Sequence, residues 1–545
     1  MWACFMNVVF FAMGMPWRVY TENVSGEDCS KDLYRWYCVT YVIDDAEVKA
    51  LTTLPAIYKY VKSKYKSIDR AVAIVQDSAF SKFQSVDRYD DVERVVEEMY
   101  RGFLSSQKVD NQKIDSVPKV IVSPSVGRFL NKYQGSGNKV IDVRVDICGE
   151  ASDFRIYLYL KLAKVMLEVV DKAIEKRDKN LIVHLDLSHG VNYVPTLLRT
   201  VVQDLLSLVA VYGGFEKVKL VVYNSEPVTS EETGDAYRIH IIDEVALKDG
   251  GNFYVTPLLE GVKQLRLFKV TKHCIEGRNL ESVGRELGEE SSRISKSLKL
   301  DEESVYRINT FVGSLVNGLP LLALETMPET SLDQFINEVL KAFKKFIIVN
   351  SGFGERGGHI LRISRLAALK EPVKALTKIL LAKELIAKRF MQRYDRDEDI
   401  ELGSLEKTAG ELYGWSSRLS TVINFDIHVI TEGLGKYLER YSEKDIAGEW
   451  IQLAKVLKSK PEEEQEKEQN CDEELEELKQ RGGDRFKRNF LQHSGLHRCI
   501  TMVKAEGEKV CRIRYTEKVT EDEQRNKEAW SKIYNIAAEG IVKVE

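Results

Sequence analysis

Over its first 245 residues the chain alternates short β-rich runs with amphipathic stretches. No other feature constrains the fold as strongly, because strands joined by helices pack as a mostly parallel sheet covered on both faces. The runs that read as strands are Ala3 to Phe11, Ala71 to Val75, Lys119 to Val122, Ile141 to Ile147, Leu181 to Leu187, Val218 to Tyr223 and Tyr237 to Ile242. Helices are expected between them, among them Asp153 to Lys176 and Val194 to Val211, where apolar residues recur at spacings of three and four. The order implies a Rossmann-like α/β domain. The opening MWACFMNVVFFAMGMPW has no basic residue ahead of its apolar run and is too short to span a bilayer. It reads as a buried first strand, and no membrane is expected as a partner.

Ligands of such sheets gather outside the carboxyl ends of the strands. The loops there carry Gly14, Met15, Pro16 and Trp17 after the first strand, Gln76, Asp77 and Ser78 after the second, Ser123 after the third, and Ser188, His189, Gly190 and Asn192 after the fifth. Small residues, hydroxyls and exposed amides suit a phosphodiester ligand. Asn192 can cap the helix that begins near Pro195 and aim backbone N–H groups at an anion. No GxGxxG or GxxxxGK[ST] occurs, so dinucleotide and nucleoside-triphosphate binding of the usual kinds are unsupported.

From about residue 275 the pattern turns helical. NLESVGRELGEESSRISKSLKL (279 to 300) has the punctuation of a helix-turn-helix, with Leu287-Gly288 at the turn. Its second helix would carry only Arg293, Lys296 and Lys299 as cations, so a connector is expected and DNA is not the expected partner. GFGERGGH (352 to 359) reads as a mobile interhelical loop, and the Glu-rich run Lys458 to Lys479 as a solvated helix or loop. The expected organisation is α/β followed by all-α: a Rossmann-like domain over 1–245, a connector with the helix-turn-helix-like segment over 246–320, and a helical domain over 321–545.

With 545 residues, 44% apolar, the chain has material for several domains. Its formal net charge of -4 provides no global basic field, so any RNA contact must come from a local patch and a short, transient substrate fits best. The eight cysteines are scattered without a CxxC pair. Reduced thiols in a cytoplasm and no structural metal are expected.

Near the C-terminus stands RNFLQHSG, residues 488 to 495. On a helix Asn489 and His493, four apart, share a face, with Arg488 beside them. A guanidinium can neutralise the charge that builds on a phosphate under attack. An imidazole titrating near neutrality can help a 2'-hydroxyl attack the adjacent phosphorus or protonate the departing 5'-oxygen. Asn489 would orient the phosphate or the ring. Such chemistry needs no metal.

Taken together, LDLSHGVN (185 to 192), AVAIVQDS (71 to 78), VVYNSEPV (221 to 228) and RNFLQHSG resemble the CRISPR-associated CARF-HEPN ribonucleases of type III systems. The first matches the family's strand followed by Asp-x-Thr/Ser-His-Gly-x-Asn, with Ser188 where Thr is more usual. The last matches its Arg, four to six residues, His motif. The resemblance implies an N-terminal CARF sensor that binds a cyclic oligoadenylate, commonly cyclic tetra-adenylate, as allosteric activator. It implies a C-terminal HEPN domain that cuts single-stranded RNA without a catalytic cofactor and leaves a 2',3'-cyclic phosphate. It also implies a homodimer or higher homo-oligomer, with a two-fold activator at a two-fold interface. Carried over by position, Arg488, Asn489 and His493 are the catalytic residues, and the four loops named above line the activator pocket. The competing reading, a ligand-sensing helix-turn-helix transcriptional regulator, needs little chain beyond residue 320, whereas this one continues for more than 200 residues.

Overall fold

The computed structural model describes residues 5–21, 34, 36–109, 112–114, 117–134, 139–190, 193–228, 236–247, 265–275, 277–354, 358–390, 399–440, 449–457, 471–478, 484–506, 510–519 and 523–542. The chain forms two compact units. The first takes Met1–Phe253, Leu265–Leu298 and Leu332–Lys378; the second takes Tyr254–Gln264, Lys299–Ser331 and Ile379–Glu545.

At the centre of the first unit lies the strand Phe5–Met13, buried from Met6 onwards. A strand with parallel neighbours on both sides and helices on both faces has to be apolar almost throughout, which is why it imitates a leader peptide in sequence. Arg70–Gln76 and then Lys119–Ser123 lie on one side of it, Asn180–His189 and then Lys217–Ser225 on the other, all parallel. The chain therefore leaves the central strand in one direction and returns on the opposite side, opening a crevice between the ends of Phe5–Met13 and Asn180–His189. Tyr237–Ala246 adds antiparallel, and the hairpin Val39–Ile43/Ala46–Ala50 completes eight strands. The helix Tyr193–Tyr212 is apolar enough to cross a membrane by composition, yet it packs as a crossover helix with Leu198, Val201, Val202, Leu205 and Leu206 buried.

Three expectations are corrected. The run Ile141 to Ile147 is a strand (Val140–Cys148), but it belongs to a second, five-stranded sheet with Gly127–Gln134, His359–Arg365, Ile347–Phe353 and Tyr20–Thr21. GFGERGGH is the tip of the hairpin Ile347–Phe353/His359–Arg365 rather than an interhelical loop, with Gly354 N donating to Gly358 O at 2.8 Å across the turn; residues 355–357 lie outside the described residues. The segment 279 to 300 has no helix-turn-helix. It is one helix, Leu280–Ser297, started by the Asn279 side chain accepting from Glu281 N at 2.8 Å. Gly288 sits inside it because Val283, Leu287, Ser291 and Ile294 keep a single buried stripe through that position, and the stripe outweighs one glycine. The compact units accordingly cut the chain elsewhere than at 245 and 320: residues 332–378 return to the first unit.

One buried ion pair holds the second sheet to the first. Arg365 is fully buried and pairs with Asp77 at the end of Arg70–Gln76. Asp77 also accepts from Ser125 N and Tyr89 Oη, each at 2.9 Å.

The second unit is helical, with Glu302–Asn317, Leu402–Leu412, Ser417–Arg440, Asp484–Gln492 and Glu523–Val542. A small antiparallel sheet of Ile400–Glu401, Val510–Tyr515, Thr501–Glu506 and Ile451–Gln452 accompanies the helices. Of the charge run, residues 458–470 and Lys479 lie outside the described residues and 471–478 are helical.

The expectation of reduced thiols is also corrected. Cys148 is disulfide-bonded to Cys274, and Cys471 to Cys499, while Cys38 is disulfide-bonded as well. Separations of 126 and 28 residues hide pairs whose Cα atoms the fold brings to 5.5 and 5.4 Å.

Candidate functional site

Phe486 and Phe490, four residues apart and both fully buried, stack at 5.9 Å and anchor the helix Asp484–Gln492 by one face. The opposite face carries Arg485, Arg488 and Asn489. His493 N donates to Asn489 O at 3.0 Å, and the helix then stops, because Ser494 and Gly495 take the left-handed conformation (φ 52 and 77). Gly495 N returns to Phe490 O at 2.9 Å, and Tyr515 Oη donates to Gly495 O at 2.9 Å. The break leaves His493 at the helix terminus with its side chain 59% exposed.

Asp426, buried on Ser417–Arg440, fixes the imidazole. One of its oxygens lies 3.3 Å from His493 Nδ1 and the other accepts from Ser494 Oγ at 2.9 Å. The hydrogen bond to Asp426 raises the His493 pKa above its usual value against the opposing pull of partial burial. Arg488, Asn489 and His493 therefore line one cleft of about 360 Å³, as their sequence spacing predicts.

A second charged group stands at the same cleft. Glu474 is 1% exposed and accepts from Arg498 Nη2 at 3.0 Å; Arg485 Nε lies 3.3 Å and His497 Nε2 3.2 Å from its oxygens. Burial favours its neutral form, but contact with His497, then the cations of Arg498 and Arg485, hold the carboxyl down at about 2. His497 is pushed down by its own burial. Sequence reading missed Asp426 and Glu474, which lie 67 and 19 residues before His493 and carry no local signature. His497 and Arg498, just beyond the motif and past the end of its helix, could have been found only as further titratable and cationic residues beside it.

In the first unit, the crevice at the central strand holds a cleft of about 320 Å³. Gly14, Met15, Gln76, Ser78, Ser188, His189 and Gly190 line it as expected, joined by Trp36, Tyr100, Phe129 and Asn131, which sequence reading did not single out. Gly14 N donates to His189 O at 2.7 Å, tying the two loops together. His189 Nε2 accepts from Thr53 N at 3.0 Å, and Trp36 stacks on the ring at 4.4 Å. Burial lowers the His189 pKa despite the nearby Asp186. An acceptor Nε2 and a depressed pKa make this ring a neutral stacking surface rather than an acid. Ser188 is spent on structure: its hydroxyl donates to Asp186 Oδ1 at 2.5 Å and accepts from Ser225 N at 2.9 Å. At Gly190 a Cβ would fall 2.4 Å from Pro195 Cγ and 3.0 Å from Ala12 Cβ, so only glycine fits.

Four of the expected pocket residues are not brought to the cleft. Trp17 is fully buried, with its indole N–H donating to Ser81 Oγ at 3.2 Å. Pro16 is buried beside it. Asp77 is consumed by Arg365, and Ser123 Oγ donates to Val75 O at 2.7 Å. Trp17 packs against Tyr20, Tyr100 and Phe103, Ser123 is tied to the neighbouring strand, and Asp77 is held by the second sheet, so these side chains turn away from the cleft. Asn192 lies outside the described residues.

A Rossmann-like unit with a ring-lined cleft stands in one chain with a helical unit whose cleft gathers guanidinium, carboxamide and imidazole, the groups that phosphodiester cleavage employs. Two family models, described as the CARF domain and the HEPN domain of CRISPR system endoribonuclease Csx1, match residues 32–227 and 416–517, together more than half of the chain. The CRISPR system endoribonuclease Csx1 of Methanocaldococcus jannaschii is 25% identical over 472 residues, covering 86% of this chain and 84% of that protein. The chain belongs to the CARF-HEPN family of CRISPR-associated endoribonucleases.

Proposed function

We propose that the chain is a cyclic oligoadenylate-activated, metal-independent endoribonuclease that cuts single-stranded RNA in type III CRISPR antiviral defence. The observation that carries this reading is the exposed His493, its pKa raised by Asp426, in one cleft with Arg488 and Asn489. A 2'-hydroxyl attacks its neighbouring phosphorus, the P–O5' bond breaks, and a 2',3'-cyclic phosphate remains. Arg488 neutralises the charge gathering on the non-bridging oxygens and Asn489 orients the phosphate. A raised pKa favours the imidazolium form of His493, the form that hands a proton to the departing 5'-oxygen. In a homodimer a second copy of the cleft supplies the other imidazole, which takes the 2'-hydroxyl proton.

The cleft beside Gly14 and His189 receives the activator. Trp36, His189 and Phe129 offer ring faces for adenine, and Gln76 offers an amide for its edge or for phosphate, while the Asn131 amide nitrogen is held by Ser78 O and Phe80 O, each at 2.8 Å. Cyclic tetra-adenylate, itself two-fold, fits a site shared by two protomers. We place the reaction in the cytoplasm; intracellular proteins of hyperthermophiles carry disulfides, so the cysteine pairs are compatible with that location.

The test is cleavage of end-labelled single-stranded RNA in EDTA, with and without cyclic tri-, tetra- and hexa-adenylate. Cutting should require one of the three and leave acid-labile cyclic phosphate ends. His493→Ala should reduce the rate by about 10²–10⁴-fold and Arg488→Ala by about 10²–10³-fold, with activator affinity by calorimetry unchanged. Cleavage that persists in the double variant, or that needs a divalent cation, would overturn the assignment.

A further inference from the structure

Next to the RNase cleft, a set of four side chains has the composition of a metal site. Cys499 Sγ, His497 Nε2 and a Glu474 carboxylate oxygen lie within 4.8 Å of one another, and all three residues are buried. The Cys471 sulfur is bonded to that of Cys499. We propose that these four residues form a second site, which takes a zinc-class divalent cation when the two sulfurs are reduced.

Two thiolates, an imidazole and a carboxylate are the donors that zinc selects in closed, four-coordinate sites. The Glu474 carboxylate is already divided between two tasks. Its Oε1 is held by Arg498 at 3.0 Å and Arg485 at 3.3 Å, while Oε2 faces His497 Nε2 at 3.2 Å and Cys499 Sγ at 3.9 Å. One oxygen is anchored from outside and the other points inward, which is how supporting groups orient a ligand.

The inward-facing Nε2 is the second observation. His497 is 1% exposed, and its Nε2 makes no hydrogen bond although it lies next to Oε2. A buried ring nitrogen in that condition calls for a partner. The comparable trio Cys148, His273 and Cys274 lacks this feature: His273 is exposed, and its Nε2 already bonds Gly149 O at 3.2 Å.

The chemistry balances with a dithiol as the reductant. It gives two electrons and two protons to the S–S bond, becomes a disulfide itself, and leaves two thiols. Binding of the cation then releases the two thiol protons. In a tetrahedral site the sulfurs would stand about 3.8 Å apart, from Zn–S bonds of about 2.3 Å. The imidazole proton would sit on Nδ1, giving up the 3.3 Å contact from Cys499 N. Two thiolates and a carboxylate leave the filled site at one negative charge, balanced by Arg485 and Arg498.

The pattern escapes a search for CxxC because it is C-x-x-E at 471–474 and H-x-C at 497–499. These segments flank the helix that carries Arg488. One connection between them is therefore kept in both redox states, covalent when oxidised and coordinate when reduced.

The test uses the full chain reduced with a dithiol that is then removed without oxygen. Adding Co(II) should give the visible bands of a tetrahedral site with thiolate-to-metal charge transfer, bleached by one equivalent of Zn(II). Zinc should slow alkylation of Cys471 and Cys499 at least tenfold, read by peptide mass mapping of the unmutated protein. The Cys471→Ser/Cys499→Ser variant should lose the spectrum, and His497→Ala should weaken binding about 10–100-fold. Equal alkylation of both cysteines with and without zinc, or protection confined to Cys148 and Cys274, would overturn the proposal.

Discussion

His493 stands half in solvent and half against a buried carboxylate, and that placement has a measurable pH signature. Its folded-state pKa is raised by Asp426. The contact therefore stabilises the fold fully below the unfolded value of about 6.5 and stops doing so as pH rises through the folded value; the ring is exposed enough for solvent to keep this contribution small. Asp426→Asn should move the His493 titration to lower pH, seen in the imidazole proton shifts, and carry the alkaline limb of the cleavage profile with it. An unchanged limb would mean that another group donates the proton. A second residue-scale prediction concerns Gly190: Gly190→Ala should destabilise the first unit by about 1–3 kcal/mol through overpacking against Pro195, read by denaturant unfolding. It should also raise the activator concentration needed for cutting. The cluster of Arg488, Asn489 and His493 was legible because its members lie within six residues and one helical face gathers them. Asp426 was not, because nothing in its own stretch of chain distinguishes it from any other carboxylate on a helix.

Elements were legible where local pattern and tertiary role agree. The apolar runs of the parallel strands read correctly because burial on both faces leaves no polar positions to confuse the period. The hairpin Ile347–Phe353/His359–Arg365 was hidden between amphipathic helices, and its Gly-rich tip looked like a linker. Leu280–Ser297 was read as two helices because a glycine beside a leucine mimics a turn when the stripe running through both is ignored. The hairpin's importance can be tested through Arg365. Arg365→Met would leave the Asp77 carboxylate buried without its cation, at a cost of roughly 3–5 kcal/mol. Urea unfolding of the first unit should shift accordingly, while Arg365→Met/Asp77→Asn should recover part of the loss.

For the molecule as a whole, the cysteines matter more than their scattered positions indicate. Closing 126 residues of chain, the Cys148–Cys274 bond should contribute up to about 4–5 kcal/mol by restricting the unfolded state. Cys148→Ser/Cys274→Ser should therefore lower the non-reducing thermal midpoint of the first unit, and a dithiol should reproduce most of that shift in the unmutated protein.

The first unit is also assembled from three separate stretches of the polypeptide, the last of them supplied only after residue 331. A ribosome that has finished the eight-stranded sheet has not yet made Arg365. Until it does, Asp77 waits with Tyr89 and Ser125 alone, so the first unit cannot mature during synthesis before the polypeptide has begun building the second. The same interleaving means that any fragment holding the whole first unit, such as residues 1–378, must carry residues 299–331 of the second unit with it.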